Sequence, residues 1–525
     1  MAAVADPGLV PAEPRSARAA WAAVAAAAVL VVLTKPWAVT QPQLWAEDGS
    51  VHLLDNETYG VGALLHPYRG YLHTWPRLIA WLAGRTTDVA HWPLFYSLAA
   101  LLVAAGIFAR LASPRLELPA KPWLILAFVL AANAGETFLN LTNLHWLTSF
   151  FLLQQVLIAP PRHRWEGAAD GVLLVLAGLT GPFVVVFLPL FVWRWWRERS
   201  RYALTVLLVA AACATVQGLL VAETGPHFAP QAQPLQPAML WHVLGLRLVA
   251  WPLLGGRLAL ALPAPVPALM LAAVVGGLGW AAFRPHPQRR RRLEVLAAFG
   301  LIIAACMYRL RPDTWEFLEL ENGDSYFYIP RVLLAWLVIW QFDARPAAVA
   351  WVIRGACVAG VLLNAGDYIK PAPPNYEWRL HCGAIRQGQA ANIPILPEGW
   401  ILQYPGRSVH AELGPGWYAE EFDGRKTWNW SAGRATLRIV AGESREVRLH
   451  FALRGWGARQ VTARVGDTVV WRGAIDFDQR EISIVLPALP VGTTEIELSS
   501  DVPGEKEASK NRRVLAFALY RLGVD

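Results

Sequence analysis

The chain has 525 residues, 55% hydrophobic and 16% charged, with a mean hydropathy of +0.33 and a formal net charge of +8. A soluble domain carries about 25% charged residues, so this composition excludes an ordinary soluble globular protein. Nucleic acid is excluded as the partner of the positive charge, because the Arg residues cluster between apolar runs, as they do in cytoplasmic loops of membrane proteins.

Apolar runs recur from Ala19 to Leu363 and then stop. The chain therefore reads as a polytopic α-helical membrane protein followed by a C-terminal domain of different character. Residues 1–17 form a cytoplasmic tail, and Arg15 and Arg18 mark the run after them as a retained signal anchor. Spans are expected at about 18–34, 92–110, 122–134, 144–159, 168–182, 183–196 and 202–222. Four more, at about 261–283, 293–309, 326–342 and 347–364, bring the count to about 11, with the N-terminus inside and the C-terminus outside. Thr180-Gly181-Pro182 is a turn signal between two of them. The apolar stretch 238–256 is broken by Pro252, Gly255 and Gly256. A span there would put the run Arg289 to Arg292 outside, so the stretch reads as interfacial or re-entrant. The 26 Trp fit interfacial belts, and the four Cys show no metal-ligand spacing.

Residues 365–404 read as a Pro-rich connector, because Pro371-Ala372-Pro373-Pro374 fits neither helix nor sheet interior. Beyond it the hydrophobic period becomes two. Strands are expected at 435–440, 446–453, 460–465, 468–472, 481–486, 494–498 and 514–522, with Gly466-Asp467 as a hairpin turn. Short strands at this spacing predict an all-β sandwich of jelly-roll type over 405–525.

The first outer loop, 35–90, is longer than topology requires, and it opens with Trp45-Ala46-Glu47-Asp48-Gly49-Ser50. Two adjacent carboxylates at a membrane surface must be solvated, ion-bound or catalytic, since burying them unpaired in lipid costs several kcal/mol. A carboxylate held partly desolvated suits the deprotonation of an acceptor hydroxyl. Acids collect on the outer loops generally: Asp55, Glu136, Glu316 and Asp324 lie there with Glu47 and Asp48. Glu136 converging on Asp48 would suit a divalent cation such as Mg or Mn, or the orientation of an acceptor.

The early acid pair in a long first outer loop, followed by Pro67-Tyr68-Arg69-Gly70-Tyr71 and Pro76-Arg77, resembles the GT-C superfamily of integral-membrane glycosyltransferases. Protein mannosyltransferases that use dolichyl-phosphate-mannose and bacterial lipid A aminoarabinose transferases belong to it. The resemblance covers about residues 18–364. It implies many spans and a large first outer loop whose early acid is catalytic. It also implies a polyprenyl-phosphate-linked sugar as donor. The base role falls on Asp48, with Glu47 a near-equal alternative, and Glu136 is the further acid many members carry in the second outer loop. The partners implied are the lipid-linked donor, a glycan or glycolipid acceptor, and membrane lipids of a bacterial inner membrane.

A lipid-phosphate donor needs cations on the outer side, against the positive-inside trend. Arg69, Arg77, Arg247, Arg257, Arg309, Arg311, Arg331 and Lys370 are the exceptions to that trend. Arg331 and Arg77 are the preferred phosphate ligands; pairing of Arg331 with Asp324 is the structural alternative. Asn140, Asn143, His145 and Trp146 gather at the mouth of the fourth span, where they either cap the helix or contact a sugar. In the C-terminal domain Trp417, Trp428 and Trp430 either stack on sugar rings or pack the sandwich. Two rival functions remain: a flippase for a lipid-linked glycan, disfavoured by polar groups concentrated at one face, and a non-catalytic membrane anchor presenting a glycan-binding sandwich.

Overall fold

The computed structural model describes residues 14–224, 237–310, 318–344, 346–422, 426–506 and 513–525. Arg311 and Glu316, expected on the outer face, lie outside the described residues, as do the side chain of Arg309 and most of the N-terminal tail. The chain divides into two compact units, Met1–Arg85 with Leu94–Ala372, and Thr86–Pro93 with Pro373–Asp525.

The first unit is helical. A helix occupies each stretch expected to span, from Pro14–Thr34 through Trp92–Ala112, Lys121–Leu130, Leu144–Leu157 and Arg164–Gly178 to Phe183–Glu198 and Arg201–Thr224. Pro265–Phe283, Arg289–Leu310, Ser325–Ile339 and Ala347–Leu363 follow. Large apolar side chains such as Leu102, Trp165, Leu208, Leu269 and Trp351 lie exposed on these helices. Polar side chains such as Gln154, Asp170 and Gln217 are buried between them. That inversion of the usual distribution suits a hydrocarbon surrounding. Among the described residues, five helices are long and apolar enough to cross a membrane: Ala17–Thr34, Val89–Ala112, Arg201–Glu223, Pro237–Leu254 and Pro265–Phe283. Length and hydropathy therefore support several crossings, not a count of eleven.

The fourth of these differs from expectation. Residues 238–256 form a nearly continuous helix to Leu254 rather than a broken segment. Pro252 is accommodated because the chain widens into a π-helical turn, Leu246–Ala250, just before it. A π-turn shifts the ladder where a proline lacks its N–H. Gly255, at φ +76°, then ends the run; a Cβ there would lie 2.8 Å from the Leu363 carbonyl oxygen. The turn at Gly181 (φ +82°) lies where Thr180-Gly181-Pro182 called for one.

The second unit is a sandwich. Its strands are β1 (Ala391–Ile395), β2 (Trp400–Tyr404), β3 (Val409–Leu413), β4 (Glu421–Phe422), β5 (Thr427–Ser431), β6 (Arg434–Ala441) and β7 (Arg445–Gly455). There follow β8 (Arg459–Val465), β9 (Thr468–Ile475), β10 (Arg480–Leu489), β11 (Gly492–Ser500), β12 (Glu505–Lys506), β13 (Val514–Leu515) and β14 (Phe517–Val524). Two five-stranded antiparallel sheets form, ordered β10-β7-β14-β5-β4 and β3-β6-β11-β8-β9. Their inward residues, among them Leu437, Leu449, Phe451, Val461, Ile496 and Phe517, make one core. Alternation buries every second residue of β6, and of β10 from Ile482 to Leu486, which is why these strands were legible from a period of two. Val465 pairs with Thr468 across the two-residue turn Gly466-Asp467.

The connector expected over 365–404 is more ordered than its prolines suggest. Past Pro374 a helix, Trp378–Gln387, buries Trp378, Cys382 and Ile385 at helical spacing, and the hairpin β1–β2 follows. Trp378 donates to the Val89 carbonyl, and Arg386 forks onto Asp88 at 2.7 and 3.0 Å, which ties Thr86–Pro93 to this unit.

Candidate active site

The site lies at one end of the helical unit, on the loop between the helices Lys121–Leu130 and Leu144–Leu157. Ala46, at φ +43°, turns the chain after Trp45, and Asp48 opens the π-helical turn Asp48–Leu53. Its carboxyl reaches that loop. Oδ1 accepts from Leu141 N at 3.0 Å, Thr142 N at 2.7 Å and the Thr142 hydroxyl at 2.8 Å. The hydroxyl has one proton, shared between Asp48 Oδ1 and the Trp45 carbonyl, also 2.8 Å away, and it accepts from Asp48 N. The Trp45 backbone N–H adds a further, weaker pull on the carboxyl. The residue is 2% exposed, and burial pushes its carboxyl up to about 7 against the pull of those donors. One oxygen is thus fixed by three donors, on a group that ionises near neutrality.

Glu47 points elsewhere. Its Oε1 accepts from the Tyr68 hydroxyl at 3.3 Å and meets Arg69 at 3.8 Å. Tyr68 and Tyr71 close a tight turn around Arg69 (φ +50°) and Gly70 (φ +85°), which presents Arg69 with its side chain 54% exposed. Arg77 is buried and pairs with Asp55 at 2.6 Å, while its Nε and Nη1 have no acceptor among the described residues.

Lys35, directly after the first helix, is a member of the site that sequence reasoning missed. Its Nζ donates to the Phe138 carbonyl at 2.9 Å and lies over the Trp45 ring at 4.9 Å. Burial lowers its pKa to about 7, while Glu136 and Asp48 pull it upward. The signal was a lysine on the face that should be poor in lysine. Two of its partners, Phe138 and Glu136, sit more than a hundred residues away, so nothing local announced them.

Glu136 serves the same loop. Its carboxyl accepts from Ser325 N. Its carbonyl accepts from Asn140 Nδ2 at 2.6 Å and Asn143 Nδ2 at 2.9 Å. Burial, and then Asp324, raise its pKa. Asn140 and Asn143 therefore brace the loop with both amides on backbone. His145 donates through Nδ1 to the Thr142 carbonyl at 3.0 Å, so a single residue links it to Asp48. Behind it the His73 ring lies tilted or edge-on to Tyr71, His145 and His52, at 4.7, 5.6 and 5.7 Å between ring centroids. His52 and His73 were not singled out by sequence; burial holds both well below the usual imidazole range. Trp146 is buried among Phe183 and Tyr326, so it offers no open stacking face.

Arg331 differs from the phosphate ligand expected. Its Nη2 is 2.7 Å from Asp324 Oδ1, Nε donates to the Arg247 carbonyl at 3.1 Å, and Nη1 donates to the Ala132 carbonyl. Arg247 approaches the same Asp324 oxygen at 3.4 Å, and Asp324 Oδ2 accepts from Ala134 N at 2.7 Å. All three side chains are buried. An arginine inside an apolar helix needs such a counter-charge, so the pairing alternative describes Arg331 and Asp324. Asp48 and Glu136 flank an ammonium, and among the described residues no three His, Cys, Asp or Glu side chains gather to hold a metal ion. That donor set does not fit a divalent cation shared by the two acids.

In the sandwich, Trp430 is 5% exposed and packs edge-on to Trp456 beside Ala452, Leu515 and Tyr520, so it is core and not a platform for a sugar. Trp417 is half-buried, with its indole N–H on the Thr436 carbonyl at 2.9 Å and its ring against Phe517. Trp428 is half-buried against Tyr520. These indoles were legible as aromatic, but their burial was not: Trp417 packs on the inter-sheet core, while Trp428 and Trp430 join Ala452, Ala518 and Tyr520 in a second cluster on the opposite face of the sheet.

Fold and site together define a multi-helix protein with apolar outward faces, a buried carboxyl site at one helix end, and a C-terminal antiparallel β-sandwich. No family model matches the chain, and no curated protein does. Among solved structures, a module described as CBM4 is 8% identical with a TM-score of 0.16, covering 22% of this chain and 77% of its own. Two mutants of a family 29 carbohydrate-binding module are each 11% identical with TM-scores of 0.15. They cover 23% and 22% of this chain, and 81% and 90% of theirs. Likeness this slight decides nothing about the chain; the sandwich rests on its own strand pairing.

Proposed function

We propose that the protein is an inverting membrane glycosyltransferase of GT-C type. It moves a sugar from a polyprenyl-phosphate donor to a hydroxyl of a glycan or glycolipid at the outer face of a bacterial inner membrane. The observation that carries this reading is Asp48: a buried carboxyl with Oδ1 held by three donors, to whose Oδ2 we assign the acceptor's proton. A base is most effective when its pKa lies near the working pH, and Asp48 is held at about 7. The acceptor oxygen attacks the anomeric carbon while its proton passes to Asp48 Oδ2. The bond from that carbon to the phosphate oxygen breaks with inversion, and lipid phosphate leaves with the electron pair. Arg69, exposed beside Glu47, and Arg77, whose Nε and Nη1 have no acceptor among the described residues, are assigned to the phosphate. Arg331 is not, because Asp324 occupies it. No step is assigned to a metal.

The reading is tested in membranes containing the chain and a panel of labelled polyprenyl-phosphate sugars. Label is expected to move to a glycan or glycolipid with release of lipid phosphate. A donor that changes leaflet with its sugar still attached would replace the transferase with a flippase.

A further inference from the structure

Just past the helix Ala347–Leu363 the chain turns back onto the candidate site. Asn364, buried, anchors the turn: its Nδ2 donates to the Gly360 carbonyl at 2.8 Å and the Pro252 carbonyl at 3.2 Å. The residues after it, read from sequence as the start of a connector, grip the site instead. The Tyr368 hydroxyl donates to the Leu130 carbonyl at 2.7 Å, and Lys370 Nζ donates to the Asn133 carbonyl at 2.7 Å. Lys370 N donates to the Thr34 carbonyl at 2.8 Å. Residues 364–370 are therefore a strap with two attachments. One is the end of the first helix, and the other is the start of the loop that grips Asp48.

These contacts close a ring. From Thr34 the chain runs on to Asp48, whose Oδ1 holds Leu141 N and Thr142 N. From there the loop runs back to Asn133 and so to Lys370. Lys35, next to Thr34, adds a rung by donating to the Phe138 carbonyl. An irregular loop is ordered only as far as such ties offset its conformational entropy. Gly135 is fitted to the same lysine. A Cβ there would lie 2.7, 3.0 and 3.1 Å from Lys370 Cγ, Cδ and Cε, so the lysine stem fills the space that the glycine leaves. Lys370 Nζ also donates to the Asp367 carbonyl. Two of the three ammonium N–H groups thus serve backbone carbonyls, which suits bracing better than capture of a phosphate.

We infer that Lys370 is a positioning residue for Asp48: it holds the Asn133–Gly135 end of the loop, and through the loop the amides of Leu141 and Thr142, without touching the reacting groups. The inference takes its catalytic meaning from the transferase reading, while the strap itself is tested without it. Lys370→Met keeps the stem over Gly135 and removes only the ammonium. Amide hydrogen exchange over 139–143, measured on the full chain in detergent, should then quicken about tenfold, with exchange over Pro265–Phe283 unchanged. In transfer, kcat should fall about tenfold with the donor KM within twofold of wild type, because a misplaced base loses rate and not donor affinity. If Lys370→Met does not fold, Tyr368→Phe, which removes one hydroxyl, is read in the same way. Exchange within twofold of wild type overturns the inference. A raised donor KM with unchanged exchange overturns it as well and makes Lys370 a phosphate ligand. Faster exchange in the variant, with no transfer by the wild type from any donor, sinks the transferase reading and leaves the strap in place.

Discussion

Replacing Asp48 by Asn separates chemistry from architecture at the candidate base. An amide oxygen at Oδ1 still accepts from Leu141 N, Thr142 N and the Thr142 hydroxyl, so the loop stays in place. The amide nitrogen takes the position of Oδ2 and cannot accept the acceptor's proton. Loss of a general base lowers turnover by about 10²- to 10⁴-fold. Stability moves the other way. A carboxyl held at about 7 instead of its usual 3.8 costs about 4 kcal/mol, as an upper bound, once it ionises in the fold. The sign follows from linkage: the native state binds this proton more tightly than the unfolded chain. Its stabilising effect is therefore complete below pH 3.8 and is lost as pH rises toward 7. The amide of Asp48→Asn carries no such charge, so the variant should melt no lower than wild type at pH 8. Asp48→Ala, which leaves two backbone N–H groups without an acceptor, should lose at least about 2 kcal/mol as well as activity. The assay is transfer from the labelled lipid donor, run beside a tryptophan-fluorescence melt in detergent. Wild-type turnover in Asp48→Asn would refute the base assignment. A large fall in its melting temperature at pH 8 would refute the electrostatic argument.

Further outcomes are expected for the pH profile and for four other variants. Transfer should fall tenfold per pH unit below about 7 and level off above it, since only ionised Asp48 accepts the proton; a flat profile from pH 5 to 8 would contradict this. Lys35→Met, which removes the other group held near 7, identifies any part of the profile that belongs to the lysine. Arg331→Met leaves Asp324 with Arg247 alone and should cost about 3–5 kcal/mol, read as a lower melting temperature, whereas exposed Arg69→Ala should keep its melting temperature and raise the donor KM about tenfold. Gly135→Ala demands a side chain at φ +94° with its Cβ 2.7 Å from Lys370 Cγ. It should shift the loop that Asp48 grips and lower both the melting temperature, by about 1–3 kcal/mol of stability, and turnover.

What the chain could reveal by itself was local. Ala- and Leu-rich runs specify helices, and β6 to β11 announce themselves by alternation, because backbone geometry repeats within a few residues. The acid pair after the first helix and the glycine turns at Gly181 and Gly466 were equally legible. Tertiary structure decided which charged groups are available. Asp48 owes its position to Leu141 and Thr142, 93 and 94 residues away, and Lys35 owes its partner to Phe138, 103 away. Arg331 is occupied by Asp324, a choice that also depends on Arg247 from another helix. Trp430 is buried because strand register sets it beside Ala518 in a cluster with Ala452, Tyr520 and Trp456, on the face of the sheet opposite the inter-sheet core. Burial and pairing set a group's proton affinity and its freedom to meet a ligand. Both depend on segments far apart in the chain, so the sequence named the chemical groups and the fold decided which of them can act.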